Sequence, residues 1–179
     1  MEETLVLIKS DGIQRKLIGE VISRFERAGL DIRGMKMIIP TVTLAEEHYP
    51  ASDKQLTGMG NNTLKTTGED GAMKIFGTTV PKEIGLKARS WMIKNLTSAP
   101  VIAMVLKGEG AIQRVRNLVG FTDPTKAVAG TIRGDLGADS IPSANAKSRS
   151  VRNVVHASGN LEEARTEINL WFKSKTMYF

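Results

Sequence analysis

His156 ends an apolar stretch, Val154-Val155-His156-Ala157-Ser158, immediately before the start of a helical pattern. Junctions of strand and helix bring side chains and free amides into active sites, and a neutral imidazole there can attack an electrophile. A covalent phosphohistidine would divide a difficult transfer into two easier ones. The structural alternative is a satisfied core or rim histidine. An attacking imidazole needs its other ring nitrogen held, and Glu167 on the following helix can accept that N–H and fix the tautomer. Glu162 and Glu163 compete for the role by spacing alone. The second of the chain's two histidines, His48, lies in a polar helical stretch and reads as structural. With no cysteine there is no thiol nucleophile, disulfide or Cys-ligated metal, and two histidines cannot build a three-His centre. No resident metal site is expected.

Anion-binding candidates are Lys9, Arg116 and Arg133, each near the end of an expected element, with Thr122 and Asn153 as uncharged donors. Phosphoryl transfer needs convergent cations and hydrogen-bond donors rather than elaborate covalent machinery. No GxxxxGK[ST] or GxGxxG pattern occurs, and Gly58-Met59-Gly60 is only a fragment following no clear strand, so neither a P-loop nor a Rossmann mechanism is expected.

The elements that must position these residues follow from hydrophobic spacing. Residues 4–8 form a short β-branched apolar run, a buried strand. After a turn at Lys9-Ser10-Asp11-Gly12, Leu17, Ile18, Val21, Ile22 and Phe25 fall on one helix face that Gly29 stops. Residues 30–39 alternate as a second strand. Thr43 with Glu46 has capping-box spacing for a short helix through Glu47 and Tyr49. Residues 50–80 hold five glycines and no sustained period, which predicts a long surface insertion of loop. A helix over Lys82–Leu96, a strand over Pro100–Leu106 and a helix over Ala111–Val119 follow. Residues 121–150 read as irregular loop, and Arg152–His156 as a last strand. Asn160, with Glu163 three residues on, caps a helix bearing Leu161, Ala164, Ile168, Trp171 and Phe172. The order predicts an α+β fold, a ferredoxin-like βαββαβ antiparallel sheet with additional helices, as a single domain over 1–179.

At 179 residues and 41% hydrophobic content the chain can bury its own core. Its apolar runs are far shorter than a bilayer span, and its acidic N-terminus does not read as a signal peptide, so a cytoplasmic protein is expected. The net charge of +6 is concentrated in residues 101–156, with eight basic against four acidic residues, which favours an anionic partner, a phosphorylated small molecule or nucleic acid. A ferredoxin-like nucleic-acid-binding module would show aromatics in a K/R-G-F/Y pattern. None occurs, and aromatics make up only 5% of the chain.

Three segments together, Lys9-Ser10-Asp11-Gly12-Ile13-Gln14-Arg15, Gly130-Thr131-Ile132-Arg133-Gly134-Asp135 and Asn153-Val154-Val155-His156-Ala157-Ser158, resemble the signature segments of nucleoside diphosphate kinases, in the same order. Arg116 ahead of Val119–Pro124, Glu167–Phe172, and Glu47-His48-Tyr49 add to the resemblance, which spans roughly 3–49 and 96–173. It implies reversible transfer of the γ-phosphate from ATP or another nucleoside triphosphate to a nucleoside diphosphate, through phosphorylated His156. It further implies Glu167 as orienting carboxylate, Ser158 as neighbouring hydroxyl, and Lys9, Tyr49, Arg116, Thr122, Arg133 and Asn153 as the residues on phosphates and sugar. Mg²⁺ carried by the nucleotide and a homo-oligomer, tetramer or hexamer, are implied as well. A family relative without catalysis would not retain His156, Lys9, Arg116 and Arg133 together. Departures from the pattern are Ser10 in place of Pro, Ala129 in place of a Pro-Gly pair, and Gly159-Asn160 in place of an acidic-Ser pair. Counting back from Pro100 puts Ala88 at the aromatic base-stacking position, with Trp91, Met92 and Phe76 as possible substitutes.

Overall fold

The computed structural model describes residues 1–172; the end of the expected 1–179 domain lies outside the described residues. Strands β1 (Glu2–Ile8), β2 (Asp31–Ile38), β3 (Val101–Gly108) and β4 (Val155–Ala157) form one sheet in the order β2-β3-β1-β4, every neighbour antiparallel. Helices α1 (Ser10–Gln14) and α2 (Ile18–Arg27) connect β1 to β2. Helices α3 (Val42–His48), α4 (Asp53–Phe76) and α5 (Pro81–Thr97) stand between β2 and β3. After β3 come α6 (Ala111–Val119), a 3₁₀ turn at Pro124–Lys126, α7 (Ile132–Leu136) and α8 (Ile141–Ala146), and α9 (Leu161–Trp171) follows β4. This is the expected ferredoxin-like order with added helices.

The unbroken apolar run of β1 reflects burial on both faces. Val6 and Ile8 pack with Val21, Phe25 and Val115 under α2 and α6, whereas Leu5 and Leu7 pack with Ala45, Leu96, Ile168 and Trp171 under α3, α5 and α9. Successive side chains point to opposite faces, so a strand covered on both sides loses polar alternation. Each fully buried side chain of this kind contributes roughly 1.5–3 kcal/mol.

Four expectations are corrected. The segment over 50–80 is largely helical rather than loop: α4 runs from a Ser52 cap to Gly77 in the left-handed region (φ 71°), broken only at Gly68 (φ 69°). It has no apolar stripe because glycines seat it on α5. A Cβ on Gly60 would lie 1.8 Å from the Pro81 carbonyl oxygen, and one on Gly85 2.0 Å from that of Leu56, so the helix backbones touch directly. Thr41, not Thr43, caps α3, its hydroxyl accepting the Leu44 N–H at 3.1 Å. Residues 121–150 contain α7 and α8, capped by Thr131 and Ser140, whose short spans are too brief to show a period. The last strand is confined to Val155–Ala157, because Val154 takes a positive φ of 68° that no strand accommodates.

Candidate active site

The Val154 conformation organises the site. Val155 N–H donates to the Asn153 carbonyl at 2.8 Å across it, closing a γ-turn of the strained, positive-φ kind just before His156. A β-branched residue held there costs on the order of 1–3 kcal/mol, so the surroundings must impose it. Asp11 Oδ2 accepts the Val154 N–H at 2.9 Å, and Lys9 N–H donates to the Val154 carbonyl at 2.8 Å. A Cβ on Gly12 would come within 3.2 Å of both the Val154 side chain and its carbonyl oxygen. The Lys-x-Asp-Gly segment is thus a clamp on the turn. Ser10 stands at the first position of α1, where proline is favoured for its fixed φ, and the helix forms without it. Arg133 holds the other side, donating to the carbonyls of Gly120 (2.9 Å), Val155 (2.9 Å) and Asn153 (3.4 Å).

His156 leans back onto α9. Its Nε2 lies 2.9 Å from Glu167 Oε1, and Ser158 Oγ donates to Glu167 Oε2 at 2.5 Å. Glu167 is the carboxylate that meets the ring. Glu163 instead turns to the start of α9, accepting from Gly159 N–H (2.8 Å) and Asn160 Nδ2 (3.0 Å), and so explains the Gly159-Asn160 departure: it fills the space beside position 159. Burial opposes ionisation of Glu167, but the neighbouring His156 charge and hydrogen bond, with smaller help from His48 and Ser158, hold it below the usual carboxylate range.

A cleft of about 440 Å³ opens beside His156. Lys9, Tyr49, Arg116, Thr122, Arg133 and Asn153 line it with His156, so the anticipated phosphate and sugar residues are brought together, while Glu167 and Ser158 sit behind the imidazole. Lys9 Nζ donates to the Val151 carbonyl and Asn153 Oδ1, both at 2.8 Å, and Asn153 Nδ2 donates to the Thr122 carbonyl at 2.8 Å. Burial lowers the Lys9 pKa to about 8, against opposition from Asp11. Burial, then the charge of Arg116, lowers Arg133 to about 10. The far wall carries Ala88, Trp91 and Met92 of α5 facing Ile141 and Asn145 of α8 and Arg149 beyond it. Phe76 is not in the wall; it is buried and stacks behind Trp91 at 5.1 Å. Among the described residues, the lining holds four cationic side chains and no carboxylate.

His48, in a helical stretch that reads as polar and structural, is buried beneath His156, the rings edge to face at 4.6 Å. One ligand atom each from His48, His156 and Glu167 falls within 4.8 Å of the others, a cluster that spacing did not reveal, although Trp171 Nε1–H donates to His48 Nδ1 at 3.3 Å. Arg149, bidentate to Asp139 at 2.5 and 3.0 Å, was also missed, since nothing marks it in a stretch that reads as loop.

A cleft of cations beside an imidazole backed by a carboxylate defines an enzyme that handles anionic groups, a phosphotransferase. The sequence profile described as nucleoside diphosphate kinase matches residues 2–59 and 87–177, omitting most of α4. The nucleoside diphosphate kinase of Pyrobaculum aerophilum is 43% identical over 178 residues, 98% of this chain and 97% of that protein, and that of Rubrobacter xylanophilus is 42% identical over 96% and 98%. The crystal structure of an NDP kinase from Pyrobaculum aerophilum superposes with a TM-score of 0.95 at 40% identity, covering 99% of each chain. A Borrelia burgdorferi nucleoside-diphosphate kinase, solved as a transition-state mimic with vanadate and ADP, superposes with a TM-score of 0.77 at 34% identity over 99% and 90%. The chain belongs to the nucleoside diphosphate kinase family.

Proposed function

We propose that the protein transfers the γ-phosphate of ATP or another nucleoside triphosphate to a nucleoside diphosphate by a ping-pong route through His156. The observation that carries this reading is the His156 Nε2 to Glu167 contact at 2.9 Å, which leaves Nδ1 as the attacking nitrogen of a ring that lines a cationic pocket. The Nδ1 lone pair attacks the γ-phosphorus, the bond to the β,γ-bridging oxygen breaks, and the nucleoside diphosphate leaves. A β-phosphate oxygen of the second diphosphate then attacks the phosphohistidine and restores the ring. Positive charge developing on the imidazole is stabilised by Glu167, which Ser158 holds in place. Lys9, Arg116 and Arg133 supply cations for the phosphates, Lys9 serving the transfer itself from the cleft it shares with His156. Thr122, Asn153 and Tyr49 serve sugar and phosphate oxygens, and Trp91 and Met92 the base. The vanadate and ADP bound in the Borrelia relative support nucleotide in this cleft.

The lining cations and missing carboxylates do not fit a protein-held Mg²⁺. Magnesium enters as part of the substrate, carried by its phosphates. A single-domain, cytoplasmic homo-oligomer completes the proposal. No described helix is long and apolar enough to cross a membrane, and edge strand β2 exposes Met35, Met37 and the adjoining Ile39, a face suited to a second copy. Incubation with labelled ATP tests the route. The phosphoenzyme should be acid-labile, base-stable and absent in His156→Ala; label persisting in that variant would sink it.

A further inference from the structure

The buried side of the nucleophile contains a second histidine whose tautomer is dictated by its neighbours. An indole N–H only donates, so His48 Nδ1, 3.3 Å from Trp171 Nε1, must accept and carry no proton. The neutral ring then bears its hydrogen on Nε2, which is buried with no partner among the described residues. An unpaired buried N–H is unfavourable, and the opposite tautomer would set two N–H groups against each other at Trp171. Burial, reinforced by the nearby His156, depresses the His48 pKa to about 3, against opposition from Glu167, so the ring stays neutral. The same Nδ1 is 3.6 Å from Glu167 Oε1, the oxygen that meets His156 at 2.9 Å. The other oxygen of Glu167 is taken by Ser158.

We propose that Trp171 and His48 are positioning residues for His156: the indole N–H engages the single lone pair of His48 Nδ1 and locks the ring as the Nε2–H tautomer, so no proton on Nδ1 competes for Glu167 and Oε1 is reserved for the Nε2–H of His156. Were His48 to carry its proton on Nδ1, it would donate to Oε1, draw charge from that oxygen and weaken the bond that leaves Nδ1 of His156 unprotonated for attack. Trp171 thereby acts on the nucleophile without touching it, through a ring that stays neutral and a carboxylate that stays undivided. This rests on His156 being the nucleophile, but the first measurement below does not.

Long-range ¹H–¹⁵N spectra of the full-length oligomer contain only two imidazoles, assignable with His156→Ala. His48 should show an unprotonated Nδ1 and a protonated Nε2; a protonated Nδ1, or two protonated nitrogens, overturns the proposal whatever the activity. In Trp171→Phe, shown folded by its melting transition, a proton should appear on His48 Nδ1. The rate of His156 phosphorylation at saturating ATP should fall about tenfold, the loss of part of a charge-assisted hydrogen bond, with KM changed less than about twofold. Adding His48→Phe removes the competing donor and should recover most of the rate. An undiminished rate in the single variant, or a double variant no faster than the single, also overturns it. If Trp171→Phe does not fold, the wild-type spectrum alone decides. Label persisting in His156→Ala would refute the phosphotransfer route and leave the tautomer result standing.

Discussion

The environment of Lys9 gives the site a pH dependence whose sign can be worked out. Its pKa is lowered from 10.5 to about 8 in the empty protein, so below about 8 the fold carries the full cost of a buried ammonium, and that cost is relieved as pH rises from about 8 toward 10.5. Stability of the nucleotide-free protein therefore gains from Lys9 over that window, while phosphate binding loses its cation. Bound phosphate favours the charged form, so kcat/KM for the diphosphate should fall above about pH 8 while kcat stays level, and pH–rate profiles of both constants check this. Retention of kcat/KM to pH 10 would contradict the assignment. Glu167→Gln, which keeps the shape but removes the charge proposed to stabilise the imidazole, should lower kcat by about 10²-fold with little change in KM, as steady-state kinetics would show. At this scale the sequence was highly informative. His156 was legible because histidine is scarce and this one sits at an expected element end, as its cationic partners do, whereas the contact of His48 with His156 was not legible because it depends on what β1 and α9 lay over a polar-looking helix.

Between α4 and α5 lies a contact that propensity could not reveal. Backbone touches backbone at Gly60 and Gly85, and Trp91 stands on the cleft side with Phe76 stacked behind it. Gly60→Ala should destabilise the protein by roughly 1–3 kcal/mol through overpacking, measured by thermal or urea unfolding, and raise KM for nucleotides as the α5 wall shifts. Trp91→Ala should raise KM by about tenfold for all four diphosphates alike, because stacking reads a π-face rather than base edges; a loss confined to one base would show edge recognition instead. The long helix was hidden because its glycines and threonines carry no amphipathic period, and its stability comes from caps and close approach. By contrast β1 and β3 were legible from their apolar runs alone, since both faces of each are buried.

At the scale of the molecule, the sheet places β1 at its centre, between a strand from the middle of the chain and one from near its end. β1 pairs with β3 and with β4, so the first strand to be made joins the last, Leu7 opposite His156. The apolar edge of β2 stands apart from this, and if it joins copies as proposed, Met35→Lys/Met37→Lys should lower the mass seen by light scattering with secondary structure intact. The turn at Val154 is gripped by Lys9 and Asp11 from the beginning of the chain and Arg133 from its middle. A histidine whose preceding backbone is bent by partners more than 140 residues away takes this geometry only once both segments are present. If His156 accepts phosphate as proposed, that competence is acquired during synthesis or refolding only when the two ends of the chain have met, and labelling of the histidine would report that meeting.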